Sequence, residues 1–271
     1  MKNFAVIGNP IKHSLSPYLH NYVYNSLNIN ANYIMKLVDN DALIDIIKLT
    51  REGSLNGFNV TIPHKQMIIP LLDDINPRAK SIGSVNLVHN IKNKLYGNNT
   101  DWFGFYQLLL KNAVNVKDKE VIIIGAGGTS KSVIFALKHL GVKKIYLINR
   151  TFEKAQKMQD EIIIPCSIDS IDKIIKNDSI IINTTSLGMK NNESPIASML
   201  ITKNQVLIDI IYNPILTTFL NNGNSVGANT INGLDMFIYQ ALASIDLWFG
   251  KPLSKQVNFT QLKTYLERKL C

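Results

Sequence analysis

The stretch VIIIGAGGTS at residues 121–130 decides the fold of this chain. Four β-branched residues lead into the glycine cluster GAGG, and the following SKSVIFALKHL is compatible with a helix. This pattern predicts a strand, a tight turn and a helix N-terminus. Gly125 allows the turn, Gly127 lets the backbone approach a phosphate, and Ser130 occupies the third position, where the helix packs close to the strand. The stretch predicts a site for the pyrophosphate of a dinucleotide, with ordinary turn glycines as the alternative.

A second apolar strand, KKIYLINR at 143–150, follows at the distance expected of a βαβ unit. Its end carries Asn149, Arg150 and Thr151, and Lys154 follows one turn onward. An NAD site usually has an acidic residue here, which would repel the 2′-phosphate of NADP. Arg150 instead offers that phosphate a planar pair of donors, while Thr151 and Lys154 add a hydroxyl and a second charge. We therefore expect NADP as the cofactor; the alternative is that Arg150 is an ordinary solvated residue after a strand.

Length and composition limit the protein classes that fit. A chain of 271 residues with 46% hydrophobic residues can form one large or two medium domains. No apolar run reaches the length of a membrane span and no signal peptide is evident, so we expect a soluble, cytoplasmic protein without a membrane partner. Cys166 and Cys271 indicate neither a disulfide framework nor a metal site. The net charge of +9 is spread along the chain, which disfavours nucleic-acid binding.

The first hundred residues form a different α/β region. Strands are expected at 3–9, 31–37, 56–62 and 84–90, and the stretches between them have helical periodicity. This region precedes the nucleotide-binding unit, so we expect it to carry the substrate.

Polar residues mark the ends of these elements. Ser16 stands directly before Pro17, as an N-cap would, and Ser14 lies two residues earlier. Two hydroxyls at a helix start predict a carboxylate receptor, with simple capping as the alternative. Asn59 and Thr61 fall on one face of a strand, which indicates a lined cleft.

A lysine and a carboxylate suggest proton chemistry. Pro63 is expected to open a helix with Lys65 in its first turn, where the helix dipole disfavours a cation, so the placement suggests function. Asp101 follows the strand KLYGNN and begins a helix, and Asn86 ends the hydrophobic run before it. Capping alone would also explain Asp101.

Nine motifs together resemble shikimate dehydrogenase, in the same order and at similar spacing over nearly the whole chain. They are GNPIKHSLSP, GFNVTIPHK, SVN, GNNTDWFGF, GAGGTSKSV, NRT, NTTSLGM, DIIYNP and NGLDMFIYQA. The resemblance implies an α/β fold of two domains, an N-terminal substrate domain and a Rossmann-type NADP-binding domain with a cleft between them. It also implies reversible NADPH-dependent reduction of 3-dehydroshikimate to shikimate, a step in aromatic amino acid biosynthesis.

The resemblance implies roles for individual residues. The catalytic pair falls on Lys65 and Asp101. The substrate-binding residues fall on Ser14, Ser16, Asn59, Thr61, Asn86, Tyr212 and Gln240. The cofactor-binding residues fall on Gly125, Ala126, Gly127, Gly128, Thr129, Ser130, Asn149, Arg150, Thr151, Lys154, Thr185, Ser186, Gly233 and Met236. Two positions depart from the family: Ser130 replaces the more usual Ala, and Lys154 stands where many members carry Arg. Because Lys lacks the bidentate fork of Arg, the second change weakens the expected grip on the 2′-phosphate.

The resemblance also implies the domain boundaries. The substrate domain covers 1–101, the nucleotide domain covers 102–235, and 236–271 returns as helices to the substrate domain. This return would bring Gln240 to a ligand held by Ser14 and Asn59. A quinate/shikimate dehydrogenase and a non-catalytic NADP-linked sensor remain as alternatives, and both a monomer and a homodimer are compatible with the sequence.

Overall fold

The computed structural model describes residues 1–270, and Cys271 lies outside them. The chain divides into two compact units. The first unit contains Met1–Gly104 and Ile238–Lys269, and the second contains Phe105–Phe237. No helix within residues 1–270 combines the length and the apolar character needed to cross a bilayer.

The first unit is built on a mixed six-stranded sheet. Its strands are β1 (Lys2–Gly8), β2 (Ala31–Leu37), β3 (Gly57–Val60), β4 (Asp74–Ile75), β5 (Leu87–Ile91) and β6 (Lys94–Asn98). Their order in the sheet is β2-β1-β3-β5-β6-β4. The strand β1 pairs in parallel with β2 and β3, whereas β5 runs antiparallel to β3 and β6.

Helices from both ends of the chain lie wholly or partly in the first unit. They are α1 (Ser16–Ser26), α2 (Leu43–Arg51), α3 (Pro77–Ile82), α4 (Asp101–Lys111), α9 (Leu234–Phe249) and α10 (Phe259–Glu267). Trp248 of α9 shows how the C-terminal segment packs on the sheet of this unit. Its ring stacks on Phe4 at a centroid distance of 4.4 Å, and its Nε1 donates to the Val88 carbonyl at 3.1 Å. Large aromatic side chains bury much apolar area, so this contact ties the chain end to β1 and β5.

The second unit contains a fully parallel six-stranded sheet. Its strands are β7 (Glu120–Ile124), β8 (Lys144–Ile148), β9 (Ile163–Cys166), β10 (Ile180–Asn183), β11 (Val206–Asp209) and β12 (Asn229–Ile231). The order β12-β11-β10-β7-β8-β9 is that of the Rossmann fold, in which the strand order reverses between β7 and β10. The expected fold class is confirmed for both units.

The apolar run at 121–124 forms β7 because both faces of this sheet are covered. Val121 and Ile123 belong to one apolar cluster, and Ile122 and Ile124 belong to another on the opposite face. The helices of this unit are α5 (Gly128–His139), α6 (Phe152–Gln156), α7 (Ile171–Ile174) and α8 (Thr218–Val226).

Candidate active site

Lys65 and Asp101 form a buried ion pair. Lys65 Nζ donates to Asp101 Oδ2 at 2.6 Å, and the two residues are only 8% and 6% exposed. Asp101 is the first residue of α4, where the helix dipole stabilises a negative charge. Asn86 Nδ2 donates to the other carboxylate oxygen, Oδ1, at 2.7 Å. The fold thus brings together the lysine and the carboxylate singled out in the sequence, with a hydrogen-bond donor on each oxygen of the carboxylate.

The prediction of a helix opened by Pro63 is wrong. Residues 62–68 form turns, and only a short 3₁₀ helix follows at Ile69–Leu71. The Lys65 carbonyl accepts from the Val85 amide at 2.8 Å. In an α-helix this carbonyl would instead accept from the amide four residues later in the chain. On the other side, Nε2 of the buried His64 lies 2.7 Å from the Val38 carbonyl. These two contacts hold the turn, and with it the backbone of Lys65, against the sheet.

The assignment of Ser16 as an N-cap is also wrong. Leu15 is the N-cap of α1, makes no side-chain capping bond, and Ser16 is the first helical residue. The Ser16 amide donates to Ser14 Oγ at 3.2 Å, and the two hydroxyl oxygens lie 3.1 Å apart. Because the hydroxyl of Ser14 satisfies this amide, the capping oxygen comes from an earlier residue than expected. The two hydroxyls still meet at the helix start.

Asn59 lies in a buried polar network on β3. Its Oδ1 accepts from the Tyr33 hydroxyl at 2.8 Å, and its Nδ2 donates to the Asn86 carbonyl and to Ser244 Oγ, each at 3.1 Å. Thr61 follows the end of β3 and is half-buried. Buried polar groups require such partners, because an unpaired one costs about 1–3 kcal/mol. The network therefore fixes the amide orientation of Asn59.

Gln240 reaches the same network from α9. Its Oε1 lies 3.4 Å from Asn86 Nδ2 and 3.5 Å from Thr100 Oγ1. Thr100 itself is 2% exposed, and its amide donates to Asn86 Oδ1 at 2.7 Å. Residues that are far apart in sequence thus share one site in the first unit.

Three members of this network were not assigned a role in the sequence: Tyr33, Thr100 and Ser244. Ser244 had a usable signal, since it stands four residues after Gln240 and so lies on the same helix face. Thr100 adjoins Asp101. Tyr33 had no such signal, because a strand tyrosine is usually a packing residue.

The glycine cluster lies at the carboxyl end of β7, beside β10. Gly125 has φ of +111°, and an added Cβ would lie 2.6 Å from Thr184 Oγ1. Gly127 is the N-cap of α5, and an added Cβ there would meet nothing within 4 Å. The space beside Gly127, directly before the first residue of α5, is therefore open. In a doubly wound sheet, ligands bind at this point of reversal between β7 and β10.

The remaining cluster residues complete the loop. Ser130, fully buried, donates its hydroxyl to the Gly127 carbonyl at 2.6 Å. Ala126, Gly128 and Thr129 are half-buried at the start of α5. Asn149 Oδ1 accepts from the Ala126 amide at 3.1 Å and so ties the end of β8 to the loop.

Basic residues follow directly. Arg150, Thr151 and Lys154 are all exposed, and within residues 1–270 no carboxylate forms an ion pair with Arg150. A guanidinium on the end of β8 is available to a phosphate group of a ligand. The residues present fit NADP. The open space at Gly127 leaves room for a phosphate against the backbone of the glycine loop, and the cations Arg150 and Lys154 follow the neighbouring strand β8.

The end of β10 carries a buried hydrogen-bond chain. Thr185 donates both its amide and its hydroxyl to Asn183 Oδ1, at 3.0 and 2.7 Å, while Ser186 is exposed. Asn183 Nδ2 donates to Asp209 Oδ1 at 3.1 Å, and Thr217 Oγ1 donates to Asp209 Oδ2 at 2.7 Å. This chain fixes the loop of Thr185 next to the glycine cluster.

Burial raises the pKa of Asp209 to about 6 from its ordinary value of 3.8, against the opposing effect of its hydrogen bonds. The folded protein therefore holds this proton more tightly than the unfolded chain does. Stability contributed by Asp209 should fall as the pH rises from about 4 to about 6, by a total on the order of 3 kcal/mol.

Urea unfolding of the wild type and of Asp209→Asn, at pH 4.5 and pH 7, measures this effect. We expect a smaller loss of unfolding free energy over this interval in Asp209→Asn than in the wild type. The exposed Asp172→Asn serves as the control and should behave like the wild type. Equal pH slopes for Asp209→Asn and the wild type would contradict the raised pKa.

Gly233, Met236 and Tyr212 lie near the end of the second unit's sequence. Gly233 is buried, and an added Cβ would lie 2.0 Å from the Ile210 carbonyl oxygen. Met236 is 6% exposed and packs in the apolar cluster of β7 and α5. The half-buried Tyr212 stacks on Phe237 at 4.4 Å. The structure thus gives Gly233 and Met236 packing roles, and their contact with a nicotinamide stays a prediction.

Two protein-family models match consecutive parts of the chain, and both describe the same family. The model of the shikimate dehydrogenase substrate binding domain matches residues 6–88, and that of shikimate / quinate 5-dehydrogenase matches residues 107–231. A protein from Pelagibacter ubique named shikimate dehydrogenase (NADP(+)) is 44% identical over 251 residues, covering 91% of this chain and 93% of the relative.

Solved structures give the same result. The shikimate dehydrogenase of Aquifex aeolicus has a TM-score of 0.88 at 35% identity, and the match covers 98% of this chain and 97% of that one. The shikimate 5-dehydrogenase of Thermus thermophilus, solved in complex with NADP(H) and shikimate, has a TM-score of 0.86 at 28% identity, and the match covers 100% of both chains.

Proposed function

Because the chain belongs to the shikimate dehydrogenase family, we propose that it catalyses the reversible NADPH-dependent reduction of 3-dehydroshikimate to shikimate. This reaction belongs to the biosynthesis of aromatic amino acids. The observation that carries the proposal is the buried contact of 2.6 Å between Lys65 Nζ and Asp101 Oδ2, inside a network that includes Asn86 and Gln240. A binding protein without catalysis would not need this buried proton-carrying pair.

The cofactor is NADP, which supplies or accepts the hydride when bound. The glycine loop at 125–130 and the N-terminus of α5 would hold its pyrophosphate, and Asn149 keeps that loop in place through the Ala126 amide. Arg150, with Thr151 and Lys154 beside it, would hold the 2′-phosphate. The loop of Thr185 and Ser186 adjoins the glycine loop.

Lys65 handles the proton of the reaction. Its Nζ donates a proton to the ketone oxygen during reduction and accepts one from the hydroxyl during oxidation. Asp101 orients Lys65 through the 2.6 Å bond and accepts a hydrogen bond from a neighbouring hydroxyl of the substrate.

Polar residues of the first unit hold the substrate. The adjacent hydroxyls of Ser14 and Ser16 at the start of α1 receive the carboxylate, which the helix dipole also favours. The ring hydroxyls are bound by Asn59, Thr61, Asn86 and Gln240. The substrate role of Tyr212, a residue of the second unit, stays a prediction from the family resemblance. The cytoplasmic location, the monomeric or dimeric state and the lack of nucleic-acid and membrane partners stay predictions from the sequence.

A spectrophotometric assay of the purified protein tests the proposed function. Shikimate and quinate are each supplied with NADP and with NAD, and reduction of the cofactor is followed. We expect the highest kcat/KM for shikimate with NADP. Comparable turnover of quinate would favour the broader quinate/shikimate enzyme, and the absence of turnover with every pair would favour the sensor.

Cofactor preference is expected to depend on Arg150. Replacing Arg150 with Ala should weaken NADP binding by about 1.5–3 kcal/mol, the value of a hydrogen bond between charged groups, and leave NAD binding almost unchanged. The NADP/NAD ratio of kcat/KM should therefore fall by roughly one to two decades. Steady-state kinetics with both cofactors measure this ratio.

Lys203→Ala is the matched control, because it removes an exposed cation of the same unit near the amino end of β11. It should keep the wild-type ratio. If Arg150→Ala also keeps that ratio, the preference for NADP comes from Lys154, Thr151 or another group.

A further inference from the structure

Ser244 is a fully buried hydroxyl at the centre of the first unit's polar network. It lies on α9, and its Oγ donates to the Gln240 carbonyl one turn earlier at 2.9 Å. The same oxygen lies 3.1 Å from Asn59 Nδ2 and 3.1 Å from Thr100 Oγ1. One hydroxyl thus connects three elements of the chain: α9, β3 and the residue before α4.

The directions of these hydrogen bonds follow from the number of protons. A serine hydroxyl has one proton and two acceptor positions. The Gln240 carbonyl can only accept, so the proton of Ser244 points to it. With that proton on the carbonyl, Ser244 accepts from Asn59 Nδ2 at 3.1 Å, and its second acceptor position is available to the Thr100 hydroxyl at 3.1 Å.

Further hydrogen bonds connect Thr100 to Asp101 through Asn86. Thr100 Oγ1 accepts from Asn86 Nδ2 at 3.0 Å, and its own proton is then available to Ser244. The second proton of that Nδ2 goes to Asp101 Oδ1 at 2.7 Å. Asn86 Nδ2 therefore donates in two directions, to Asp101 and to Thr100, and Thr100 connects it to Ser244.

Asn59 forms the other branch of the network. Its Nδ2 donates one proton to Ser244 Oγ and the other to the Asn86 carbonyl. Its Oδ1 accepts one hydrogen bond, from the Tyr33 hydroxyl. An amide oxygen can accept two hydrogen bonds, so one acceptor position of Asn59 Oδ1 is left. Asn59 thus presents an acceptor, which suits a hydroxyl group of a ligand.

We propose that Ser244 is a positioning residue for the substrate site. It accepts a hydrogen bond from Asn59, and so sets the direction in which the Asn59 amide meets the substrate. The inference rests on the proposed function for the identity of the ligand, shikimate.

The test compares Ser244→Ala with the wild type. The substitution leaves a proton of Asn59 and the proton of Thr100 without their acceptor, and Thr100 can then turn toward Asn86 Oδ1 at 3.3 Å or Gln240 Oε1 at 3.5 Å. The Kd and KM for shikimate should rise about 5- to 50-fold, the effect of one or two disturbed buried hydrogen bonds, while kcat changes less than about threefold. Calorimetry should give an unchanged Kd for NADP.

Thr50→Val is the matched control. Thr50 is a fully buried hydroxyl of the same unit that also donates to the carbonyl four residues earlier, Ile46, at 2.6 Å. It has no bond to Asn59 or Thr100, so shikimate affinity should stay at the wild-type value. If Ser244→Ala is poorly folded by circular dichroism, Ser244→Cys keeps the shape of the side chain with a slightly larger atom and replaces the oxygen with a weak acceptor, and the same rise in the Kd for shikimate is expected.

A double-mutant cycle with Asn59→Ala separates positioning from packing. If Ser244 acts through Asn59, Ser244→Ala should weaken shikimate binding by at most about threefold in the Asn59→Ala background. Fully multiplicative effects would overturn the inference, as would unchanged shikimate affinity in Ser244→Ala. Failure of the wild type to bind or oxidise shikimate would instead count against the proposed function.

Discussion

Lys65→Ala is expected to lower kcat for shikimate oxidation by roughly 10²–10⁴, with only a modest change in the KM for shikimate. The reason is that Lys65 Nζ acts on the proton that moves in the transition state, so its loss affects the chemical step more than binding. Steady-state kinetics with saturating NADP measure both constants. Loss of shikimate affinity with an intact kcat would overturn the acid/base assignment.

Folding must be controlled in this experiment, since removing one partner of a buried ion pair leaves the other charge unpaired at a cost of about 3–5 kcal/mol. Urea unfolding identifies such a loss. Asp101→Asn provides a second variant that keeps Lys65 and the shape of the carboxylate, and it should also lower kcat. Lys48→Ala, at an exposed position of α2, should leave both constants at the wild-type values.

Gly233→Ala is expected to destabilise the second unit by about 3 kcal/mol or more. The added Cβ would lie 2.0 Å from the Ile210 carbonyl oxygen and 2.4 Å from its carbon. These are backbone atoms just beyond β11, which cannot rotate away as the end of a side chain can. Urea unfolding, followed by circular dichroism, measures the change, and a weaker binding of NADP should accompany it.

Gly127→Ala is the control for stability. Its added Cβ would meet no atom within 4 Å, and its φ of −96° is accessible to alanine. The free energy of unfolding should therefore fall by about 1 kcal/mol or less, the penalty for Ala at an N-cap. If Gly233→Ala is as stable as Gly127→Ala, the close approach of Gly233 to Ile210 does not persist in solution.

The glycine loop and its strands were predictable because their signals are local. An unbroken β-branched run requires burial on both faces, and the turn at Gly125, with φ of +111°, favours glycine at that position. The position of Arg150 was predictable for the same reason: it stands two residues beyond β8, and the end of that strand follows from the length of its apolar run.

The two errors at helix starts have a physical cause. The sequence around Pro63 suits a helix, but the Lys65 carbonyl is taken by the Val85 amide. Ser16 suits an N-cap, but Ser14 supplies the oxygen for its amide. In both places a backbone group near the expected helix start, the Lys65 carbonyl or the Ser16 amide, is hydrogen-bonded to a residue that the local pattern did not indicate.

The sequence by itself determined the strand, glycine loop, helix and second strand at 121–150, the cationic residues after β8 and the residue types of the lysine–aspartate pair, because periodicity and turn chemistry act over a few neighbouring residues. Only the tertiary structure decided that Lys65 and Asp101 meet at 2.6 Å, that both side-chain amide protons of Asn59 are bonded, and that Ser244, 185 residues after Asn59, accepts one of them. The contact of Ser244 with Asn59 depends on the packing of α9 against β1 and β5, which brings together residues that no local sequence pattern connects.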